Sequence, residues 1–447
     1  MRIDIHSGDP YRRLSELADI LIDPAVGIVG YAAEQPRESG SPDLFHFAAQ
    51  ACRTEAFTEQ KNFRSAGGAA VTRARALARA VGEAVERYSV ALYDMKDYPV
   101  ATAADAPFAC ADPASFALYS DEQYAQSDFV FRPFTRETSV RWMAALDLGS
   151  GETVHVPAGA VFVPYLYYRR LGDTPVVQPN STGLALHVSY AAAAATGLCE
   201  VLERDAFSIV WQAMVSPPRI DLITISDSNR AIVERFRAAR CEVTLFDLSL
   251  DIGIPVVMAV QRSSQAPAPL LTFAASCDPD PEIAVRDALE ELAHTMRYML
   301  HISTYEPRLE HDPSFSNVLD QDTHLNFWCD GRWTDGADFI WDSDQVRKFQ
   351  DLEDFSAGGA GERLRRLVDR VAERTGCRVL AADVTSDDVR ELGLAVVRIV
   401  VPGLHPLFWN HRYRSLGGTR LWTVPQKLGY RGIDRAAGDN PLPHPYP

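Results

Sequence analysis

The sequence predicts a mixed α/β (α+β) fold, with helices packed on mostly antiparallel sheets. Three observations predict it. Long runs rich in Ala, Leu, Val, Arg and Glu, at about 70–94, 190–214 and 281–302, have helical composition. Short runs of Val, Leu, Phe and Ala between turn residues read as strands. Several of these follow one another with no helix between, which favours antiparallel neighbours.

The elements follow in order. Residues 1–60 form a mixed N-terminal segment. A Gly-containing turn, Ser65-Ala66-Gly67-Gly68, then opens the first long helix. Residues 97–140 are rich in Ala, Pro, Asp and Phe and have no clear period. Strand-like stretches 140–148 and 153–164 flank Gly149-Ser150-Gly151, which reads as a hairpin turn rather than a phosphate cradle. The Ala-rich helix at 190–214 comes next, then a helix near 226–239. Strands are expected at 242–246, 255–260 and 270–274, before the third long helix. Residues 304–340, with many Asp, Asn and Trp, read as a loop-like lid or insertion. A helix at 360–375 and strands at 378–383 and 394–401 complete the regular part. The close, Asn440-Pro-Leu-Pro-His-Pro-Tyr-Pro447, cannot be helical and reads as polyproline II.

Composition narrows the function. At 447 residues the chain is two or three domain-sized units or one large α/β unit. A formal charge of −16 argues against bulk electrostatic binding to nucleic acid or an anionic membrane. No apolar run is long enough to span a bilayer. The start, Met1-Arg2-Ile3-Asp4-Ile5-His6, lacks the apolar stretch of a signal peptide. Seven widely spaced cysteines, none in a C-x-x-C pair, fit reduced thiols in a cytoplasmic protein.

One motif occurs twice. Glu83-Ala-Val-Glu86-Arg87 and Glu200-Val-Leu-Glu203-Arg204 both read E-x-x-E-R. The i, i+3 spacing puts each pair of carboxylates on one helix face. The second copy lies on a helix that is apolar nearly all round and should be buried. Two such helices facing each other would converge four carboxylates, which Arg87 and Arg204 offset only in part. Divalent cations would offset the rest, and hard oxygen ligands favour magnesium or calcium. The alternative is that each motif is an i, i+4 Glu–Arg pair on a solvated face. The tail also reads two ways. Its free α-carboxylate is a possible general base if a stiff tail delivers it to a site, or the tail frays. His405 and His411 fit no ligand spacing and read as core or surface histidines. Neither a P-loop nor a strand-linked G-x-G-x-x-G occurs.

At these residues the chain resembles the YcaO superfamily, in particular its azoline-forming cyclodehydratases. Ser65 to Gly68 with Ala78 to Ser89 (A-R-A-V-G-E-A-V-E-R-Y-S) resembles the family's first ATP/magnesium helix. Asn180 to Ala185 (N-S-T-G-L-A) with Gly197 to Phe207 resembles the second. Val401 to Pro406, Leu416-Gly417-Gly418 and the P-x-P-x-P ending resemble its C-terminal blocks. The resemblance implies a YcaO-like fold that binds ATP and Mg2+ over 61–430, with a Pro-rich tail at 431–447. It implies magnesium at Glu83, Glu86, Glu200 and Glu203. Ser181, Arg204 and Arg297 would contact ATP, and the Pro447 carboxylate would act as a base. Arg79, His187, Val188 and Ala192 depart from common family residues.

The activity implied is ATP-dependent cyclodehydration of Cys, Ser or Thr in a ribosomal precursor peptide, by phosphorylation of the backbone amide oxygen. Thioamide or amidine formation and a non-catalytic peptide-binding subunit are the alternatives. A family-blind rival, a carboxylate-bridged metal hydrolase, would usually carry a histidine near the acids. The YcaO-like region fills the chain, so a separate ThiF-like leader-binding protein is expected as partner. A flavin dehydrogenase and homodimerisation are also expected from the resemblance.

Overall fold

The computed structural model describes residues 10–264 and 269–447. The opening hexapeptide read for a signal segment lies outside the described residues. Helix α1 (Pro10–Leu21) precedes a first sheet in which β1 (Val29–Glu34), β2 (Phe45–Ala51) and β3 (Ser65–Ala70) pair in sequence order, all antiparallel. Here the sequence reading is corrected, because Ser65 to Gly68 is strand and not turn. A Cβ on Gly68 would come within 2.6 Å of Ala76 O and 2.7 Å of Ala80 N. The glycine is there so that α2 (Arg73–Ser89) can lie directly on the strand. The boundary expected at residue 60 falls between β2 and β3, inside this sheet.

The next elements are β4 (Val100–Ala101), the short α3 (Asp121–Tyr124), β5 (Val140–Asp147) and β6 (Thr153–Pro157). The Gly149–Gly151 turn joins β5 to β6 as a hairpin, with Asp147 Oδ1 accepting the Gly149 amide at 2.9 Å. The second strand stops at Pro157, where the backbone enters a 3-10 turn at Ala158–Ala160. β7 (Leu184–His187) leads into α4 (Tyr190–Gln212), capped by Ser189, whose hydroxyl accepts the Ala192 amide at 3.3 Å.

The alternating part runs through β8 (Arg219–Ile220), α5 (Asp227–Ala238), β9 (Glu242–Asp247), β10 (Val256–Arg262), β11 (Leu271–Cys277), α6 (Pro281–Tyr305), α7 (Gln321–Trp328) and β12 (Val346–Arg347). The second sheet has the order β11-β10-β9-β8-β12 and is parallel only at β8–β12. Asp280 caps α6, Pro281 takes its first turn, and the helix packs on β11, β10 and β3. The expectation of a loop over 304–340 is also corrected. The segment holds α7 and a 3-10 stretch, Gly331–Trp341, because Leu325, Phe327 and Trp328 bury their side chains in the core.

The chain closes with α8 (Ala360–Thr375), β13 (Leu380–Asp383), α9 (Asp387–Glu391), β14 (Ala395–Val400) and α10 (Arg420–Lys427). The third sheet has the order β4-β5-β13-β14-β7, with β6 on β5. Helix α4 packs on β14 and β7 of this sheet and on β11 of the second. That sandwiching explains why it is apolar nearly all round. β7 also packs against α2. The two E-x-x-E-R helices are therefore joined through one strand. Among the described residues no helix is long and apolar enough to cross a membrane.

Candidate active site

An open cleft of about 2680 Å³ is lined by α2, β7, α4, α6 and the end of the tail. Small-molecule pockets typically hold roughly 300–1,000 Å³, so this one has room for more than one ligand. All four E-x-x-E-R carboxylates line it.

Each carboxylate is held by a backbone amide, one from β3, two from the β7 stretch and one from β11. Glu83 accepts Gly67 N at 2.8 Å, and Glu86 accepts Leu186 N at 2.7 Å. Glu200 accepts Gly183 N at 3.0 Å, and Glu203 accepts Cys277 N at 3.1 Å. Gly183 has φ +86°, and a Cβ there would lie 2.5 Å from Ile399 O, so only glycine presents its amide in this way. One strand edge thus fixes carboxylates from both helices.

The electrostatics leave the site short of positive charge. Burial pushes the Glu86 carboxyl well above its usual range, with Glu83 and Glu200 adding to it. Burial also raises Glu200, against the opposing pull of Arg204 and the Gly183 amide. Glu203 is pushed up to about 7 by burial, although Arg204 and the Tyr446 hydroxyl pull it down. The solvated-face alternative therefore does not describe the second copy. The i, i+4 pairs do form, Arg87–Glu83 at 2.6 Å and Arg204–Glu200 at 3.7 Å, but inside the cleft.

The donor set fits magnesium with phosphate. No group of three or more His, Cys, Asp or Glu among the described residues forms a ready-made metal cage. Magnesium does not need one, since it commonly takes one or two carboxylates and fills its shell with phosphate oxygens and water. Buried hard-oxygen donors with raised pKa values are the ligands such a cation would hold in the ionised form.

The tail is docked, not frayed. Pro443, His444, Pro445 and Tyr446 are buried. The Tyr446 hydroxyl donates to Glu203 Oε1, and its ring packs on Phe207 at 4.2 Å between centroids. The Arg204 guanidinium lies 4.5 Å over that ring, and its Nη1 donates to Pro447 O at 3.0 Å. Pro447 and Arg204 are thus brought beside Glu203. Ser181 lines the same cleft. Arg297 also lines it, but its guanidinium is committed to the N-terminal segment, donating to Pro36 O at 2.7 Å and pairing with Glu38 at 3.0 Å.

Arg79 has a clear structural reason. It pairs with Asp287 at 2.9 Å and Glu290 at 3.1 Å, so it neutralises acids that α6 brings to α2. Val188 joins the apolar core beside α2, and Ala192 sits in the first turn of α4. His405 is a core residue, 1% exposed, with Nε2 2.5 Å from Gln212 Oε1. His411 is buried too.

Sequence reasoning missed three site residues. Tyr446 has no local signal, standing between two prolines of the tail. His294 lines the cleft on α6 and lies 3.5 Å from Glu291. Arg398 is buried in β14, donating to Ala160 O at 3.1 Å and to Asn180 Oδ1 at 3.3 Å. Burial lowers its pKa to about 10, against the pull of Glu200. Its signal was visible in the sequence, as one arginine in the middle of the apolar strand Ala395–Val400.

A family model described as YcaO cyclodehydratase, ATP- and Mg2+-binding, matches residues 67–405. An uncharacterised protein of Methanothermobacter thermautotrophicus is 31% identical over 339 residues, covering 75% of this chain and 80% of that protein. An uncharacterised protein from the tfuA 3′ region of Rhizobium leguminosarum bv. trifolii is 28% identical over 297 residues, covering 64% of this chain and 65% of that one. Among solved structures, a heterocyclase in complex with substrate and cofactor superposes with TM-score 0.80 at 20% identity. The match covers 98% of this chain, which spans 58% of the heterocyclase. A YcaO from Methanopyrus kandleri bound with AMPPCP and Mg2+ gives TM-score 0.62 at 21% identity, covering 88% and 89% of the two chains. A chain of the E. coli microcin synthetase McbBCD complex with pro-MccB17 bound gives 0.58 at 16%, covering 99% of both. At these identities the structures speak for the fold, while the family model, which spans most of the chain, carries the membership. The chain belongs to the YcaO cyclodehydratase family and is an ATP-dependent enzyme that binds ATP and Mg2+.

Proposed function

We propose that this enzyme forms azolines in a ribosomal precursor peptide. In that reaction a Cys, Ser or Thr side chain attacks the preceding amide carbon, forming a C–S or C–O bond. The amide oxygen accepts the γ-phosphoryl group of ATP. The nucleophile's proton passes to a base as the ring closes; the oxygen then leaves as phosphate while the amide nitrogen gives up its proton and a C=N bond forms within the ring. Bound Mg2+ would supply positive charge to the phosphoryl oxygens. Glu83, Glu86, Glu200 and Glu203 would hold that cation, with Ser181 and Arg204 against the nucleotide. Pro447 would take a proton through its carboxylate.

The observation that carries this reading is the link between the tail and the second E-x-x-E-R. Pro447 O lies 3.0 Å from Arg204, and Tyr446 donates to Glu203. A terminal carboxylate held beside the metal-binding acids is a group that could act on the reacting amide. The cleft volume supports two reactants, nucleotide and peptide, in one space. A separate leader-binding protein of the ThiF-like kind remains the expected partner, with a flavin dehydrogenase if rings are oxidised. The neighbouring microcin synthetase fold comes from a multi-chain complex, which supports a partnered enzyme.

The test uses a Cys-, Ser- and Thr-containing precursor peptide, the partner and ATP. Each ring formed removes the mass of one water, whereas thioamide formation exchanges oxygen for sulfur. Dehydrated product that is lost on extending the chain by one residue beyond Pro447, with ATP binding retained, supports the reading. Dehydration at the normal rate by the extended chain removes the carboxylate from the mechanism. A sulfur-for-oxygen product replaces the azoline reading with the thioamide one.

A further inference from the structure

A polyproline II segment has no internal hydrogen bonds. When it is buried, its carbonyls must find donors elsewhere, because an unpaired buried backbone group is costly. The tail meets this condition at consecutive residues. Trp211 Nε1 donates to Leu442 O at 3.1 Å, and Trp328 Nε1 donates to Pro443 O at 3.0 Å. His324 Nδ1 donates to His444 O at 2.9 Å. The imidazole rings of His324 and His444 also stack, 3.8 Å apart and 14° from parallel. All three donors are essentially inaccessible to water, with Trp211 and Trp328 1% exposed and His324 0%.

Two of the three donors come from α7, four residues apart and so on one helix face. Helix α7 belongs to the 304–340 segment, whose function the E-x-x-E-R site leaves unexplained. Two of the tail's own amides are satisfied within the tail as well. Leu442 N donates to Asn440 Oδ1 at 3.1 Å, and Tyr446 N donates to His444 Nδ1 at 3.3 Å. Prolines at 441, 443, 445 and 447 carry no amide to satisfy. A register slip of one residue would put prolines where Leu442, His444 and Tyr446 now stand. It would also move Tyr446 off Glu203.

We infer that His324 and Trp328 are positioning residues: with Trp211 they form a binding groove that reads the tail's carbonyls in register and so sets Tyr446 and Pro447 against Glu203 and Arg204. The groove's ligand class is a polyproline II segment alternating proline with hydrogen-bonding residues, here supplied by the chain itself. The inference deepens the reading of Pro447 given above and rests on it for its catalytic meaning.

The test is hydrogen exchange on the full-length chain, read at the tail amides Leu442, His444 and Tyr446. His324→Phe and Trp328→Phe should each speed tail exchange about tenfold, the loss expected for one buried hydrogen bond. Exchange in β10 should stay unchanged as the control for folding, and affinity for Mg-ATP should also be unchanged. His324→Asn keeps a donor near the Nδ1 position and should restore slow tail exchange. If Trp328→Phe disturbs β10, the two His324 variants carry the test alone. Tail exchange equal to the parent in His324→Phe overturns the inference, and so does failure of Asn to restore it. Release of the tail with peptide dehydration unchanged supports the groove and counts against Pro447 as the base, so the two readings fail separately.

Discussion

Helices α2 and α4 carry the same five-residue motif, yet their arginines do different work. Arg87 is about one-third exposed and pairs with Glu83 at 2.6 Å, with Ser65 O as its other acceptor. Arg204 is about half as exposed, lies over the Tyr446 ring, and holds Pro447 O as well as its two glutamates. What differs is the partner. Helix α2 lies on a small-residue strand whose backbone takes up its arginine, whereas α4 is buried between two sheets and meets the tail. Motif identity fixes the carboxylate spacing, and the neighbouring element decides what the arginine does with it.

That comparison can be broken in four ways. The largest effect should come from what the two copies share. Glu86→Gln and Glu200→Gln each keep an oxygen for the backbone amide but lose the negative charge. ATP turnover should fall by roughly 10²-fold or more, as for loss of a charge-stabilising group. The metal-free melting temperature should not fall, because burial already disfavours those charges. Phosphate release and thermal melting read both, and turnover within a factor of about three of the parent would end the shared-metal reading.

The next effect should separate the copies. Arg204→Lys loses the planar group over Tyr446 and the bond to Pro447, and should lower product formation by roughly 10- to 100-fold. Arg87→Lys keeps a charge near Glu83 and should cost about threefold or less. Equal losses in the two variants would show that the tail contact does not matter.

Tyr446→Phe sharpens the α4 side further. It keeps the ring under Arg204 and removes only the hydroxyl that donates to Glu203. A loss of about 3- to 10-fold near neutral pH is expected. The lost hydrogen bond also raises the Glu203 carboxyl further, so the acidic limb of the pH profile should move to higher pH.

The smallest effect concerns stability. Glu203 has a folded-state pKa of about 7 against 4.5 for the free side chain. Between those values the folded chain holds more protons than the unfolded one. The stability of the metal-free protein should therefore fall as pH rises through this window, then level off. The melting temperature with EDTA should drop by roughly a few degrees between about pH 5 and pH 8. Mg-ATP, which binds the ionised carboxylates, should reverse that slope. A slope that rises with pH in EDTA would contradict the burial of Glu203.

How much was legible in the sequence varies by element. The three long helices, the β5–β6 hairpin and the strands around residues 242–277 declared themselves, because each obeys a local period or turn rule. Ser65 to Gly68 misled, because Gly-Gly is a turn signal in isolation. Here it is a strand whose two glycines leave no room for side chains, Gly68 against α2 and Gly67 against His294 of α6. Residues 304–340 misled because Asp and Asn mask the apolar set Leu325, Phe327 and Trp328, whose burial makes α7. In the site, the carboxylate pairs were visible as a repeated spacing. Tyr446 and His324 were not, because what matters for them is a contact with residues far away in the chain.

The sequence by itself determined the local chemistry: which faces carry paired carboxylates, which helix must be buried, and that residues 440–447 have few amides to satisfy. These follow from side-chain period and proline content, which need no partner. Only the tertiary structure decided that β7 lies between the two motifs, that Arg79 serves the acids of α6, and that the tail ends beside Glu203. Those are long-range contacts set by which buried groups find a hydrogen-bond partner, and no local pattern encodes the partner's address.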